Sequence, residues 1–150
     1  MTVLKTPDIR YAARHWAECL IERACVTPND VLTLRGEYPL GLFGRDDAEA
    51  LFRVERNVLD KCPAWSAFFT EMLVDHLVWG ERPTGELRQD GAEWLLAEVD
   101  QQPTTAGLSL LVEVLEEAPK VPSWYPAAIR RHLARNWRGT NTEIGSLRAA

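Results

Sequence analysis

Apolar side chains recur every three to four residues along most of this chain of 150 residues, the spacing that puts them on one face of a helix. Ile9, Ala13, Trp16 and Leu20 define a first helix over about 8–25, stopped by Thr27-Pro28. A second covers about 47–60, with Leu51, Phe52, Val58 and Leu59 inward. Pro63 suits the first turn of a third helix, where its missing N–H costs nothing, and this helix runs to about Trp79 with Trp65, Phe68, Phe69, Met72, Leu73 and Leu77 inward. A fourth spans about 91–99 (Trp94, Leu95, Leu96) and a fifth about 105–117 (Leu108, Leu111, Val112, Leu115). Ser123 is placed to cap a sixth that reaches about Arg138. Between the first two helices, Asn29 to Gly44 reads as a helical turn through Leu34 or a short strand of Val31, Leu32 and Leu34. Gly36, Pro39, Gly41 and Gly44 then enforce a loop. The pattern predicts an all-α fold of about six helices, in which the first four form two packed helix-loop-helix pairs and the last two close the remaining apolar face. One helical domain is expected over 1–138, with a loosely held tail over 139–150.

The chain also matches itself. Residues 43–52 align with 87–96 at a constant offset of 44: Asp46 and Glu49 stand where Asp90 and Glu93 do, each pair just before an apolar doublet. An acid followed three residues later by Glu is capping-box chemistry, with Asp46 and Asp90 expected to accept early helix N–H groups. Gly41 and Gly85 precede the two segments at the same distance.

Glycine, one residue, an apolar residue, two more and then an acid opening a helix resembles the second half of an EF-hand calcium loop. Over about 35–99 the chain resembles uncharacterised bacterial all-helical proteins with EF-hand-like, metal-free helix-loop-helix pairs, and it is more distantly similar to TerB-like tellurite-resistance domains. The resemblance implies a fold and no activity. Aligned on Phe43, the first, third and fifth positions of the loop fall on Gly36, Tyr38 and Leu40 and the twelfth on Asp47. Aligned on Leu87, they fall on Gly80, Arg82, Thr84 and Gly91. A calcium loop needs oxygen ligands there and a bidentate Glu at its end, so calcium binding is not expected.

Composition narrows the function classes. A formal net charge of −5 disfavours nucleic acid as a partner, and no apolar run approaches the roughly 20 residues of a membrane span. Met1 to Asp8 lack an export signal and the three cysteines, Cys19, Cys25 and Cys62, follow no metal-site spacing, so a cytoplasmic chain with small packing cysteines is expected. A transition metal would have to use Glu71, Asp75 and His76, but His76 is turned about 100° from Asp75, and no metal or other cofactor is expected. His15 and His132 are read as standing alone on separate helices. No nucleophile elbow, phosphate loop or dinucleotide fingerprint is present.

Charge is segregated instead. From Glu81 to Pro119 nine acids face two bases, whereas Arg131, Arg135 and Arg138 share one face of the sixth helix opposite Pro126, Ile129, Leu133 and Trp137. The expected function is a non-catalytic helical module for another protein or a second copy of itself, with those arginines, Trp124 and Trp137 as contact residues. A TerB-like metal-binding stress-response domain and an enzyme without a recognisable motif are the alternatives.

Overall fold

The computed structural model describes residues 9–38, 43–80 and 84–136, with side chains from residue 15 onward. Among these residues the chain is almost wholly helical, as the periodicity predicts. It has α1 (Ile9–Arg23), β1 (Cys25–Val26), α2 (Pro28–Glu37), α3 (Arg45–Asn57), β2 (Asp60–Lys61) and α4 (Pro63–Val74), which widens into a π-helical turn (Asp75–Trp79). Then come α5 (Gln89–Gln101), α6 (Thr105–Glu117) and α7 (Tyr125–Asn136). No helix among the described residues is long and apolar enough to cross a membrane. The chain divides into two compact units, Met1–His76 and Leu77–Ala150.

One helix more is present than the periodicity predicts. Val31, Leu32 and Leu34, the residues of the alternative strand, lie in α2, where Val31 and Leu34 are buried and Leu32 is exposed. The local cause is a capping box. Thr27 Oγ1 accepts from the Asp30 N–H at 3.2 Å, the Asp30 carboxylate accepts from the Thr27 N–H at 2.8 Å, and Pro28 occupies the first turn. Burial pushes the Asp30 carboxyl up, but the Thr27 donors and the paired Arg23 outweigh it and hold it below the usual carboxylate range. The extra helix redraws the pairs: α1 and α2 turn on each other at residues 24–27, and α3 and α4 at 58–62.

These two bends lie side by side. β1 and β2 pair in parallel, Cys25 opposite Asp60 and Val26 opposite Lys61, and the Cys62 N–H extends the ladder to the Val26 carbonyl at 3.0 Å. Accordingly α1 packs mainly on α3, and α2 on α4. Their core is aromatic: Phe52 meets Phe69 edge-on at 5.1 Å between ring centres, and Trp65 lies against Phe68 and Phe69 at 5.9 and 6.1 Å. Arg35 stacks over Phe68 at 5.3 Å while its guanidinium pairs with Glu71 at 2.9 Å, tying α2 to α4.

The end of α3 is closed by an ion pair between the buried Glu55 and the half-buried Lys61. Lys61 Nζ donates to the Glu55 carbonyl at 3.2 Å and to the Val58 carbonyl, and lies 3.8 Å from the Glu55 carboxylate. The indole of the fully buried Trp65 donates to the same carboxylate at 2.9 Å. Because α3 stops at Asn57, the chain beyond it alternates sides. Val58 stays buried, but Leu59, expected inward, is 94% exposed.

In the second unit, α6 carries the core residues Leu108, Leu110, Leu111 and Val114, and Tyr125 of α7 is buried with its hydroxyl donating to the Leu111 carbonyl at 3.0 Å. Thr104 caps α6 by accepting from the Gly107 N–H at 3.0 Å. α7 begins at Tyr125, two residues past the expected cap, Ser123. The approach to α5 is pinned to the approach to α7 by a parallel bridge, Glu86 to Lys120, flanked by hydrogen bonds from Leu87 N–H to the Lys120 carbonyl and from Lys120 N–H to the Gly85 carbonyl. Gly85 makes this possible with a φ of +84°, in a space where a Cβ would lie 3.4 Å from the Trp79 ring.

Ala24, which ends α1, has a φ of +63°, and its N–H closes the helix on the Leu20 carbonyl at 2.9 Å. A left-handed alanine costs about 1–2 kcal/mol that glycine does not pay, partly offset by glycine's greater freedom when unfolded. Ala24→Gly is therefore expected to stabilise the protein by about 0.5–1 kcal/mol, read as a higher urea midpoint; a lower midpoint would contradict the geometry.

Candidate functional site

Three groups of titratable side chains stand out among the described residues: one buried cluster in each of two places in the first unit, and a charged surface on the second. The Glu55–Lys61–Trp65 group has just been described and closes a helix. The other buried group centres on Asp47, which is fully buried. Its Oδ2 accepts from the Gly44 N–H at 2.8 Å, its Oδ1 accepts from the Tyr38 hydroxyl at 2.8 Å, and that hydroxyl accepts in turn from the Trp16 indole N–H at 2.6 Å. A single carboxylate thus joins α1, the residue that caps the end of α2 and the first turn of α3. Phe43 covers the group, with its ring edge-on to Tyr38 at 5.3 Å and to His76 at 5.6 Å.

This cluster corrects the expected capping chemistry. The residue capping α3 is Gly44, and the acid that reaches back to it is Asp47, so Asp46 sits inside the first turn and is not the cap. At the matching start of α5, Arg88 is the cap residue, Asp90 accepts from the next N–H (Gly91, 2.9 Å), and Glu93 accepts from Gln89 at 2.7 Å. Both matched segments do open helices, with different end chemistry. Gly36, placed at the first position of the calcium-like loop, lies inside α2, and Tyr38 is that helix's last cap; Leu40 and Arg82 lie outside the described residues.

Burial pushes the Asp47 carboxyl above the usual range, against the pull of the Gly44 and Tyr38 donors; Asp46 nearby pushes the same way as burial. Burial likewise raises the Tyr38 phenol, which stays protonated and donating at neutral pH.

The metal candidates do not converge. Glu71 is exposed and paired with Arg35, Asp75 is exposed, and His76 is buried under Phe43 with Arg45 Nε donating to its Nε2 at a long 3.5 Å. Among the described residues no three metal-capable side chains are gathered at one point. The two histidines read as solitary both have partners. His132 is buried, with Nδ1 2.9 Å from the Ala128 carbonyl. Its Nε2 lies 2.9 Å from Asp100 Oδ1, close but without hydrogen-bond alignment. His15 Nε2 lies 3.9 Å from Cys19 Sγ on α1. All three cysteines are free, and Cys19, expected to pack, is exposed.

The surface of the second unit keeps the charge segregation read in the sequence. α5 exposes Asp90, Glu93 and Asp100, and α6 exposes Glu113, Glu116 and Glu117. α7 buries Ala128, Ile129 and His132 and exposes Arg130, Arg131 and Arg135. Of the expected contact residues, Arg131 is exposed; Arg135 is exposed but lies 3.8 Å from Asp100. Trp124 is half-buried, its indole N–H donating to Gln89 Oε1 at 2.8 Å. Trp137 and Arg138 lie outside the described residues.

The raised carboxyl gives a signed expectation. Asp47 binds its proton more tightly folded than unfolded, so its contribution to stability is full below its unfolded value and is lost as pH rises through the folded one. Between about pH 3 and 7 the stability difference between wild type and Asp47→Asn should therefore shrink as pH rises. Urea titrations at several pH values measure it, and a difference that grows with pH would show that the Tyr38 and Gly44 donors outweigh burial.

No family model matches the chain, and neither the curated proteins nor the solved structures hold a match to it.

Proposed function

We propose that the chain is a non-catalytic helical module that recognises another protein, docking the arginine face of α7 on an acidic surface. One observation carries the reading: Arg130 and Arg131 are exposed and make no ion pair among the described residues, on a helix whose opposite face is held by Ala128, Ile129 and the buried Tyr125. Guanidinium groups presented on a rigid helix suit bidentate recognition of carboxylates at small entropic cost. The buried acids of the first unit fit a scaffold rather than a reactive centre. Both Asp47 oxygens accept hydrogen bonds, and Glu55 Oε1 is held by Trp65 and Lys61. Arg135 belongs partly to Asp100, so the contact is centred on Arg130 and Arg131.

The test is the double variant Arg130→Glu/Arg131→Glu, whose positions are exposed and whose helix content, read by circular dichroism, should match wild type. A partner captured from the source cells by wild type at low salt should be released as salt rises and should not be captured by the variant. If the partner is a second copy, sedimentation shows concentration-dependent association that the variant loses. Equal capture and equal sedimentation by the two proteins would refute the proposal.

A further inference from the structure

Apart from the α7 surface, α1 carries a stripe of ligand-type side chains on its exposed face. His15, Glu18, Cys19 and Glu22 stand at i, i+3, i+4 and i+7, and all four are exposed, while Trp16, Ala17 and Leu20 take the buried side. Only the first pair already converges: His15 Nε2 is 3.9 Å from Cys19 Sγ. That spacing has a chemical meaning. A tetrahedral zinc ion at ordinary Zn–N and Zn–S lengths separates an imidazole nitrogen from a thiolate sulfur by about 3.6 Å, so the two atoms stand a few tenths of an ångström from the edge of such a site. The ε-nitrogen is the one turned toward the thiol, and the two residues sit one turn apart on a regular helix, which sets the spacing by the backbone and leaves little to be ordered on binding.

We propose that His15 and Cys19 are the two anchoring ligands of a surface site for a divalent ion of the zinc class. The donor set fits that class and not calcium or magnesium: one borderline nitrogen and one soft sulfur, with Glu18 and Glu22 exposed on the same helix but not gathered with them into a third ligand. On binding, the Cys19 S–H bond breaks as the sulfur–metal bond forms and the proton leaves to solvent; no electron is transferred. Affinity therefore rises with pH. The site is independent of the α7 surface, and loss of either leaves the other standing.

Cobalt(II), added alone to the reduced full-length protein, is the probe. A thiolate ligand gives an intense sulfur-to-cobalt band in the near ultraviolet, with visible bands whose strength reports tetrahedral geometry, and excess zinc should bleach both. The spectrum is expected with wild type and with Cys25→Ser/Cys62→Ser, which keeps Cys19 as the remaining thiol. Cys19→Ser should abolish the sulfur band, and His15→Ala should weaken cobalt binding at least about tenfold. Both substitutions lie on an exposed face, so unchanged circular dichroism separates a lost ligand from a lost fold. No sulfur band at millimolar cobalt, a band that survives Cys19→Ser, or equal affinity in His15→Ala would each overturn the site.

Discussion

Two residues of extended chain after α1 and two after α3 run beside each other in the same direction, and the first unit is arranged around that pairing. The hydrogen bonds themselves are few. Their effect comes from register: once Cys25 faces Asp60, the helices leading into the pair must lie side by side, and so must the helices leading out. Both exits use the same device, a proline in the first turn, Pro28 for α2 and Pro63 for α4, which needs no N–H partner at a point where the chain has just left a ladder. The aromatic cluster of Phe52, Trp65, Phe68 and Phe69 then fills the space this arrangement encloses.

The buried acids serve the same end. A carboxyl group inside a protein is tolerated when donors surround it, and each of the two has a different set. Glu55 faces an indole and an ammonium that also satisfies the last carbonyls of α3; Asp47 faces a backbone N–H and a phenol at the first turn of the same helix. One helix is thus fastened at both ends by side chains from its neighbours. Removing a donor from either group would leave a buried carboxyl short of one of its two partners, which is more costly than the loss of one hydrogen bond at the surface.

Much of this was written in plain periodicity. Helical spacing located α1, α3, α4, α5, α6 and α7 to within a few residues, because each buries a stripe of large apolar side chains. α2 was legible only as a helical turn through Leu34 with a short strand as its rival, because only Val31 and Leu34 of its ten residues are buried, too few for a stripe, and because the glycines and prolines around it weigh toward loop. Its signal was local: Thr27, Pro28 and Asp30 spell a helix start. The more conspicuous self-match at an offset of 44 compares two helix beginnings, while the offset that the structure uses is 35, Cys25 to Asp60 and Pro28 to Pro63, visible in sequence only as a repeated proline. Leu59 was misplaced because a helical period was carried past the point where the chain becomes extended. The pairing of His15 with Cys19 was legible from a separation of four once the helix was accepted; that of His132 with Asp100 joins two helices and needed coordinates.

The parallel register also bears on how the unit tolerates alteration. Two helix pairs joined at their bends by a two-residue ladder have little freedom in how those bends meet, because the pairing of Cys25 with Asp60 and Val26 with Lys61 admits one register. An insertion within either bend would slide the ladder out of step, whereas one outside the bends leaves that joint as it is.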